Sequence, residues 1–372
     1  MSAPHGETVS GETAARMVDR FRLDLRGRVR LSPFPAEAQS FVVSSDAPAR
    51  YLLQRVDRRA FPDAAALMSN VLRIANHVRA RATAEGAPSA TRGAARPMPA
   101  VEDGWFALEP DRTTAWRALE IPDSAEPLEI RAEGDALRYG AAIGAFHRRM
   151  ATEFAWPPLI ETAPGLHDTA AHLEALDQAA RSDPFGRARD APADIAAILR
   201  YPRYAAYVGE EQRRRVLPER VALNHCRPRF VLCDVASGEP LCLWNVDRAM
   251  SGTVLHDVGE MARIVLCNVA EDAPNAGLVA LLPERFEALL RGYFREAGAL
   301  LTGVERERIV MAALGMTLER AIVRMTAFLT TAADDGGAAA RHLRRARTQI
   351  TLFLRMLAGR QLLERIVVGV AR

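Results

Sequence analysis

Short apolar runs open the chain and helical periodicities close it. Phe41-Val42-Val43 and Tyr51 to Val56 are brief apolar runs joined by Ser44-Ser45-Asp46-Ala47-Pro48, whose residues favour turns, so this stretch predicts a hairpin. Pro62-Asp63 then starts a helix, and Leu67, Met68, Val71, Leu72 and Ile74 recur at three- and four-residue spacing as far as about Arg79. Residues 82–103 are rich in Ala, Gly, Pro and Ser without periodicity and predict a mobile loop. Gly104 to Leu108 and Thr114 to Leu119 are two further strands, and Pro122-Asp123-Ser124 marks a crossing into a second unit.

Beyond that crossing the pattern is helical. Apolar residues recur at helical spacing over Ala136 to Ala151, Ala170 to Arg181 and Ala193 to Val208, and again near 257–270, 283–299, 305–330 and 338–366. One hairpin interrupts them: Arg229 to Cys233 and Pro240 to Val246, joined by the polar turn Asp234 to Glu239. The resulting fold class is α+β and two-lobed, with a small antiparallel first lobe (1–119) holding one main helix and a large helical second lobe (120–372) carrying the hairpin 229–246.

Composition narrows the function classes. Apolar residues make up 49% and charged residues 26% of 372, which is globular rather than disordered or fibrous. A net charge of +3, with arginines interspersed among acids, argues against nucleic-acid binding. The N-terminus has no basic segment followed by an apolar run, and no stretch is long enough to span a bilayer, so the expected location is cytoplasmic with no membrane partner. Cys226, Cys233, Cys242 and Cys267 form no C-x-x-C pair and are expected as reduced thiols; a metal cluster of Cys226, Cys233 and Cys242 with His225 and His256 is disfavoured, and no metal ligands are assigned.

Several blocks in order carry a family resemblance. They are Tyr51 to Asp57 with Phe61-Pro62-Asp63 and Leu67 to Val71, Trp116-Arg117, Tyr139-Gly140 to Phe146, Leu166 to Thr169, Asp183 to Arg187, Met316 to Glu319, and Arg347-Thr348-Gln349. Over almost its whole length the chain resembles the aminoglycoside phosphotransferase superfamily of protein-kinase-like folds, and within it the N-acetylhexosamine 1-kinase branch. The resemblance implies ATP and Mg²⁺ as cofactors. It also implies a catalytic segment H-x-D-x-x-x-x-N, in which an acid takes the substrate proton and an amide helps hold the metal.

Those residues are replaced. With Val231 to Asp234 fixing the register, the motif histidine falls on Leu223, the catalytic aspartate on His225 and the metal-binding asparagine on Phe230. The metal-holding I-D-x-D segment becomes Trp244-Asn245-Val246-Asp247, where only Asp247 is kept. Phe230 cannot coordinate a hard cation, and Asn245 offers a neutral oxygen where Mg²⁺ prefers a carboxylate. The segment in the place of the phosphate-covering loop, Ser32 to Ser40, contains no glycine, two prolines and Glu37.

The candidate residues are therefore His225 and Asp247 for chemistry, Gln54, Arg55 and Asn245 for nucleotide, and Arg324 and Arg347 for substrate. Asp334 to Ala340 replace the aromatic and basic residues expected before Arg347, which weakens the case for sugar binding. Asp257 is expected to anchor the active-site loop, and Asp168, beside His167, to cap or turn the chain. Three readings stay open. The first is a pseudokinase acting through a partner enzyme. The second is a phosphoryl or nucleotidyl transferase rearranged around His225 and Asp247, and the third a non-catalytic protein binding a sugar-like small molecule.

Overall fold

Two long strands set the geometry of the first lobe. In the computed structural model, which describes residues 11–58, 60–86, 93–102, 104–110, 114–152, 154, 157–332 and 337–371, helix α1 (Gly11–Val18) precedes β1 (Arg30–Pro33), β2 (Ser40–Ser44) and β3 (Arg50–Val56). Helix α2 (Ala64–Ala84) follows, then β4 (Gly93–Ala94), β5 (Arg96–Pro97), β6 (Ala107–Leu108), β7 (Ala115–Ile121) and β8 (Ala125–Pro127). The antiparallel order is β1-β2-β3-β7-β5, with β6 also on β7. Strands β3 and β7 pair from Arg50 opposite Ile121 to Val56 opposite Ala115, which sets Gln54 opposite Arg117.

Both faces of this sheet are covered, so its inner strands read as continuous apolar runs. Tyr51, Leu53, Trp116 and Ala118 pack with Met17 and Val18 of α1. Leu52, Leu119 and Ile121 face the second lobe, where they meet Phe230, Leu232 and Trp244. Strand β7 ends at Ile121 and β8 pairs with the second lobe's hairpin, so the chain changes sheets between them.

The second lobe comprises α3 (Glu133–Met150), α4 (Thr169–Ser182), α5 (Pro192–Leu199), α6 (Pro202–Ala205), α7 (Tyr207–Arg213), β9 (Arg220–Ala222), β10 (Val231–Asp234), β11 (Pro240–Leu243) and β12 (Met250–Gly252). Then come α8 (Val254–Leu266), α9 (Pro283–Ala297), α10 (Gly303–Thr330), α11 (Ala338–Ala358) and α12 (Arg360–Val370). Helix α10 packs on α11, α8 and α4. Helices α3 and α9 cross at backbone contact, because Gly140 lies on the Leu289 carbonyl and Gly292 on that of Leu137. No helix among the described residues is long and apolar enough to cross a membrane.

Several boundaries differ from the sequence reading. The predicted loop 82–103 is partly regular: Ala84 still belongs to α2, and Gly93 to Pro97 supply β4 and β5, while residues 87–92 and 103 lie outside the described residues. The helix expected over Ala193 to Val208 divides into three, since Pro202 disfavours helical geometry at Tyr201. Gly359 likewise separates α11 from α12. Helix α1 and strand β1 were not anticipated.

Candidate functional site between the lobes

The segment 223–230 runs from β9 to a 3-10 turn at Pro228–Phe230 and is tied down at almost every residue. Asp257 of α8 accepts the Leu223 amide at 2.6 Å and pairs with His147 at 2.9 Å, while its carbonyl accepts from the Cys226 thiol at 3.4 Å. Tyr139 donates to the Cys226 carbonyl at 3.1 Å, and a ring nitrogen of His167 lies 3.2 Å from that of Asn224. Asn224 itself has a left-handed backbone (φ 57°), which asparagine tolerates, and its side chain donates to the Ala222 and Arg248 carbonyls. Asp257 is thus the loop's anchor. Asp168 caps α4 through the Ala171 amide, whereas neighbouring His167 turns inward to Glu319, 2.9 Å away.

Phe230 is buried edge-on against Trp244, with centroids 5.2 Å apart. Trp244 Nε1 donates to the Arg229 carbonyl at 2.7 Å. From above, Phe34 at the β1–β2 turn meets Trp244 edge-on, again at 5.2 Å. Glu37 of the same turn stands 3.9 Å from Arg229, and burial raises its carboxyl above the ordinary range while Arg229 opposes. The segment in the place of a phosphate-covering loop therefore rests directly on the second lobe.

Behind this apolar seam, Asp247 and Arg117 form a two-toothed ion pair with contacts of 2.6 and 2.8 Å. Gln54 Oε1 accepts from Arg117 Nε at 2.9 Å and Nη2 at 2.7 Å. Asn245 Oδ1 accepts the Asp247 amide at 3.3 Å. The structure thus brings Gln54, Asn245 and Asp247 together, around an arginine the sequence reading had left without a role. Arg55 points to the opposite face of β3, where it donates to Thr114 Oγ1 at 2.9 Å. The residues that the resemblance sets at metal positions do not fit Mg²⁺: Phe230 is a hydrocarbon, Asn245 is spent on a backbone amide and both Asp247 oxygens hold Arg117. Among the described residues, no three His, Cys, Asp or Glu side chains gather where they could hold a metal ion.

His225 sits beside this seam, edge-on to Phe230 at 5.2 Å, with Arg227 Nε 3.5 Å from its Nε2. Burial first, then the charges of Arg227, Arg320 and Arg248, push the imidazole well below its ordinary range, with Glu260 opposing. Such a group is neutral at pH 7 and a feeble proton acceptor.

Next to it lies an arginine cluster. Glu260 binds Arg263 through both oxygens at 3.0 Å, and Arg227 and Arg320 approach the same carboxylate no closer than 3.4 Å. Glu271 is shared by Arg263 at 3.2 Å and by Arg227, Arg324 and Arg345 at 3.9 Å. Arg324 belongs to this cluster, where burial, against the pull of Glu271, lowers its pKa to about 10. Arg347 does not: it is exposed and pairs with Asp194 of α5 at 2.9 Å. Of the segment before it, Gly337 precedes α11, and Asp334 to Gly336 lie outside the described residues.

The sequence reading missed Arg117, Arg227, Arg248, Glu260, Arg263 and Arg320. One local signal existed for Arg117, a charge in a strand otherwise buried on both faces.

No family model matches the sequence. Solved structures do. A microcompartment-associated aminopropanol kinase aligns with TM-score 0.58 at 12% identity, over 94% of this chain and 98% of its own. An aminoglycoside phosphotransferase from Alicyclobacillus acidocaldarius aligns with TM-score 0.55 at 15% identity, over 94% and 95%. A choline kinase from Cryptosporidium parvum gives TM-score 0.53 at 10% identity, over 96% and 97%. At near-complete coverage in both directions, this chain has the two-lobed, protein-kinase-like fold of the aminoglycoside phosphotransferases.

Proposed function

We propose that this protein is a pseudokinase derived from the N-acetylhexosamine 1-kinase branch of the superfamily, a cytoplasmic binding or regulatory protein that does not transfer phosphoryl groups from ATP–Mg²⁺. The observation that carries this reading is the engagement of Asp247. The one acid retained at the metal positions has both oxygens committed to Arg117. The buried contact of Phe34, Trp244 and Phe230 supports it, since these side chains fill the space between the covering turn and the hairpin. A weak base at His225 points the same way.

The test has two arms. ATP with Mg²⁺ or Mn²⁺ is expected to leave the unfolding temperature unchanged, where binding at 100 times Kd would add about 2.7 kcal/mol. A coupled assay with N-acetylhexosamines, hexoses and other hydroxylated acceptors is expected to show no turnover. Turnover with any of them would overturn the reading.

A further inference from the structure

A cavity of about 360 Å³ lies where the end of α2 meets the second lobe, within the range of about 300–1,000 Å³ for small-molecule pockets. Helix α3 lines it with Ala141, Ala142 and Ala145, whose short side chains leave the space open. Val231, Leu241 and Leu243 of the β10–β11 hairpin form the facing wall. Neither Phe230 nor Trp244 of the aromatic seam lines it. Side chains alternate along a strand, so Val231 and Leu243 belong to the core that includes Tyr139 and Ile143 of α3. Their neighbours Phe230 and Trp244 belong to the one that includes Leu52 and Leu119.

The rim of the cavity is charged but internally balanced. Glu85, just after α2, accepts from Arg149 at 2.7 and 3.0 Å and also pairs with Arg148. Arg148 reaches Glu296 of α9 at 3.1 Å, and Glu296 meets Arg295 at 3.5 Å. Glu239, before β11, faces Arg138 at 3.9 Å. Each charge in the wall thus has a counter-ion within the protein, so a charged guest would compete with these pairs and bring a desolvation cost of its own. Among the described residues, no lining side chain carries a buried polar atom without a hydrogen bond, so the wall demands no particular polar partner. What it offers is apolar area inside and a polar rim that can solvate one end of a molecule.

We propose that this cavity binds a small uncharged molecule with an apolar body and one polar end, held by burial of that body between α3 and the hairpin. Because its walls come from both lobes, the guest joins the end of α2 to the hairpin whose other face carries the seam. The site goes beyond the pseudokinase reading and stands whether or not ATP binds.

The test is a calorimetric titration of the full chain with 1-butanol and 1-hexanol, and with hexylammonium and hexanoate as charged counterparts of the same length. Saturable binding of 1-hexanol is expected, with 1-butanol about tenfold weaker for its two fewer methylenes. The charged counterparts should bind about tenfold more weakly than 1-hexanol, or not at all. Ala142→Leu and Ala145→Leu, which fill the space, should each weaken 1-hexanol about tenfold or more, while the unfolding temperature of the free protein stays the same or rises. Ala145→Ser, which keeps the space, should retain binding. The comparisons of chain length and charge decide the matter on the parent protein even where a leucine variant fails to fold. No saturable binding of 1-hexanol, equal affinity for either charged counterpart, or undiminished binding in both leucine variants would overturn the site.

Discussion

Arg117 of β7 and Asp247 of the second lobe meet through paired contacts of 2.6 and 2.8 Å, with the arginine side chain 1% and the aspartate 11% exposed. This is a latch between lobes, and it occupies the acid that the resemblance would assign to a metal. Breaking a buried pair by removing one partner leaves an uncompensated charge and costs about 3–5 kcal/mol, whereas replacing both with apolar residues can be neutral. Asp247→Asn should therefore lower stability by roughly 3 kcal/mol in urea unfolding. Arg117→Met with Asp247→Leu should recover most of that loss. A single variant with unchanged stability would show that the pair contributes nothing.

The crossing of α3 and α9 makes a second claim on stability. A Cβ at Gly292 would strike the Leu137 carbonyl, and one at Gly140 the Leu289 carbonyl, both backbone atoms that cannot rotate away. Glycine to alanine within a helix ordinarily gains up to about 1 kcal/mol. Here the clash should outweigh that gain, so Gly292→Ala is expected to destabilise by about 1–3 kcal/mol. Gly303→Ala, with open space around it, should be harmless. Equal effects at the two positions in thermal unfolding would contradict the close crossing.

Acid should weaken the fold through buried histidines. His256 of α8 stacks on His167 with centroids 4.1 Å apart; burial first and that neighbour second press its pKa from 6.5 down to about 3, against the pull of Glu319. The unfolded chain therefore binds a proton at pH 5 that the folded chain refuses. Its contribution is complete above pH 6.5 and declines as pH falls toward 3, by about 1.4 kcal/mol per pH unit. His342, lowered to about 4 by burial and then by Arg324, adds to the same window. Glu319 acts lower down. Its pKa of about 2, set by His167 against the cost of burial, gives stability that is present above 4.5 and is lost as pH falls through 2. Chemical unfolding between pH 7 and 4 measures the first slope, which His256→Gln should flatten by nearly one proton.

What the sequence revealed follows the range of the interactions. The hairpin was legible because Val231 to Asp234 and Pro240 to Leu243 are local apolar runs around a polar turn, and the same strand fixed the register of Leu223, His225 and Phe230. Trp116-Arg117 was visible as a block, but its partner Asp247 lies 130 positions away, and no spacing rule links the two. Arg227, Arg248 and Arg320 come from three segments, and each alone reads as a solvated cation. Strand β1 went unseen because it is an edge strand with mostly exposed positions and a terminal proline. Gly140 stood within a recognised block, yet the reason for a glycine there is a carbonyl on another helix.

Installing the residues that the resemblance would assign should not by itself create a kinase. The variant carrying His225→Asp, Phe230→Asn and Asn245→Asp would hold, at the positions the resemblance assigns, a proton-accepting acid, a metal amide and a metal acid. Asp247 would still be held by Arg117, and the new aspartate at 225 would face Arg227, whose Nε lies 3.5 Å from the imidazole now at that position and which would bind it as a counter-ion. Removing Phe230 also empties the buried contact with Trp244, at a cost of about 3–5 kcal/mol by analogy with Phe-to-Ala changes in cores. The covering turn, with Phe34 seated on Trp244, brings no glycine amides to a phosphate. The expected outcome is a less stable protein with no ATP-dependent phosphorylation of N-acetylhexosamines, measured beside the parent under the same conditions. Robust turnover in the triple variant would mean that the latch and the aromatic seam open readily, and that only the acids separate this chain from an active kinase.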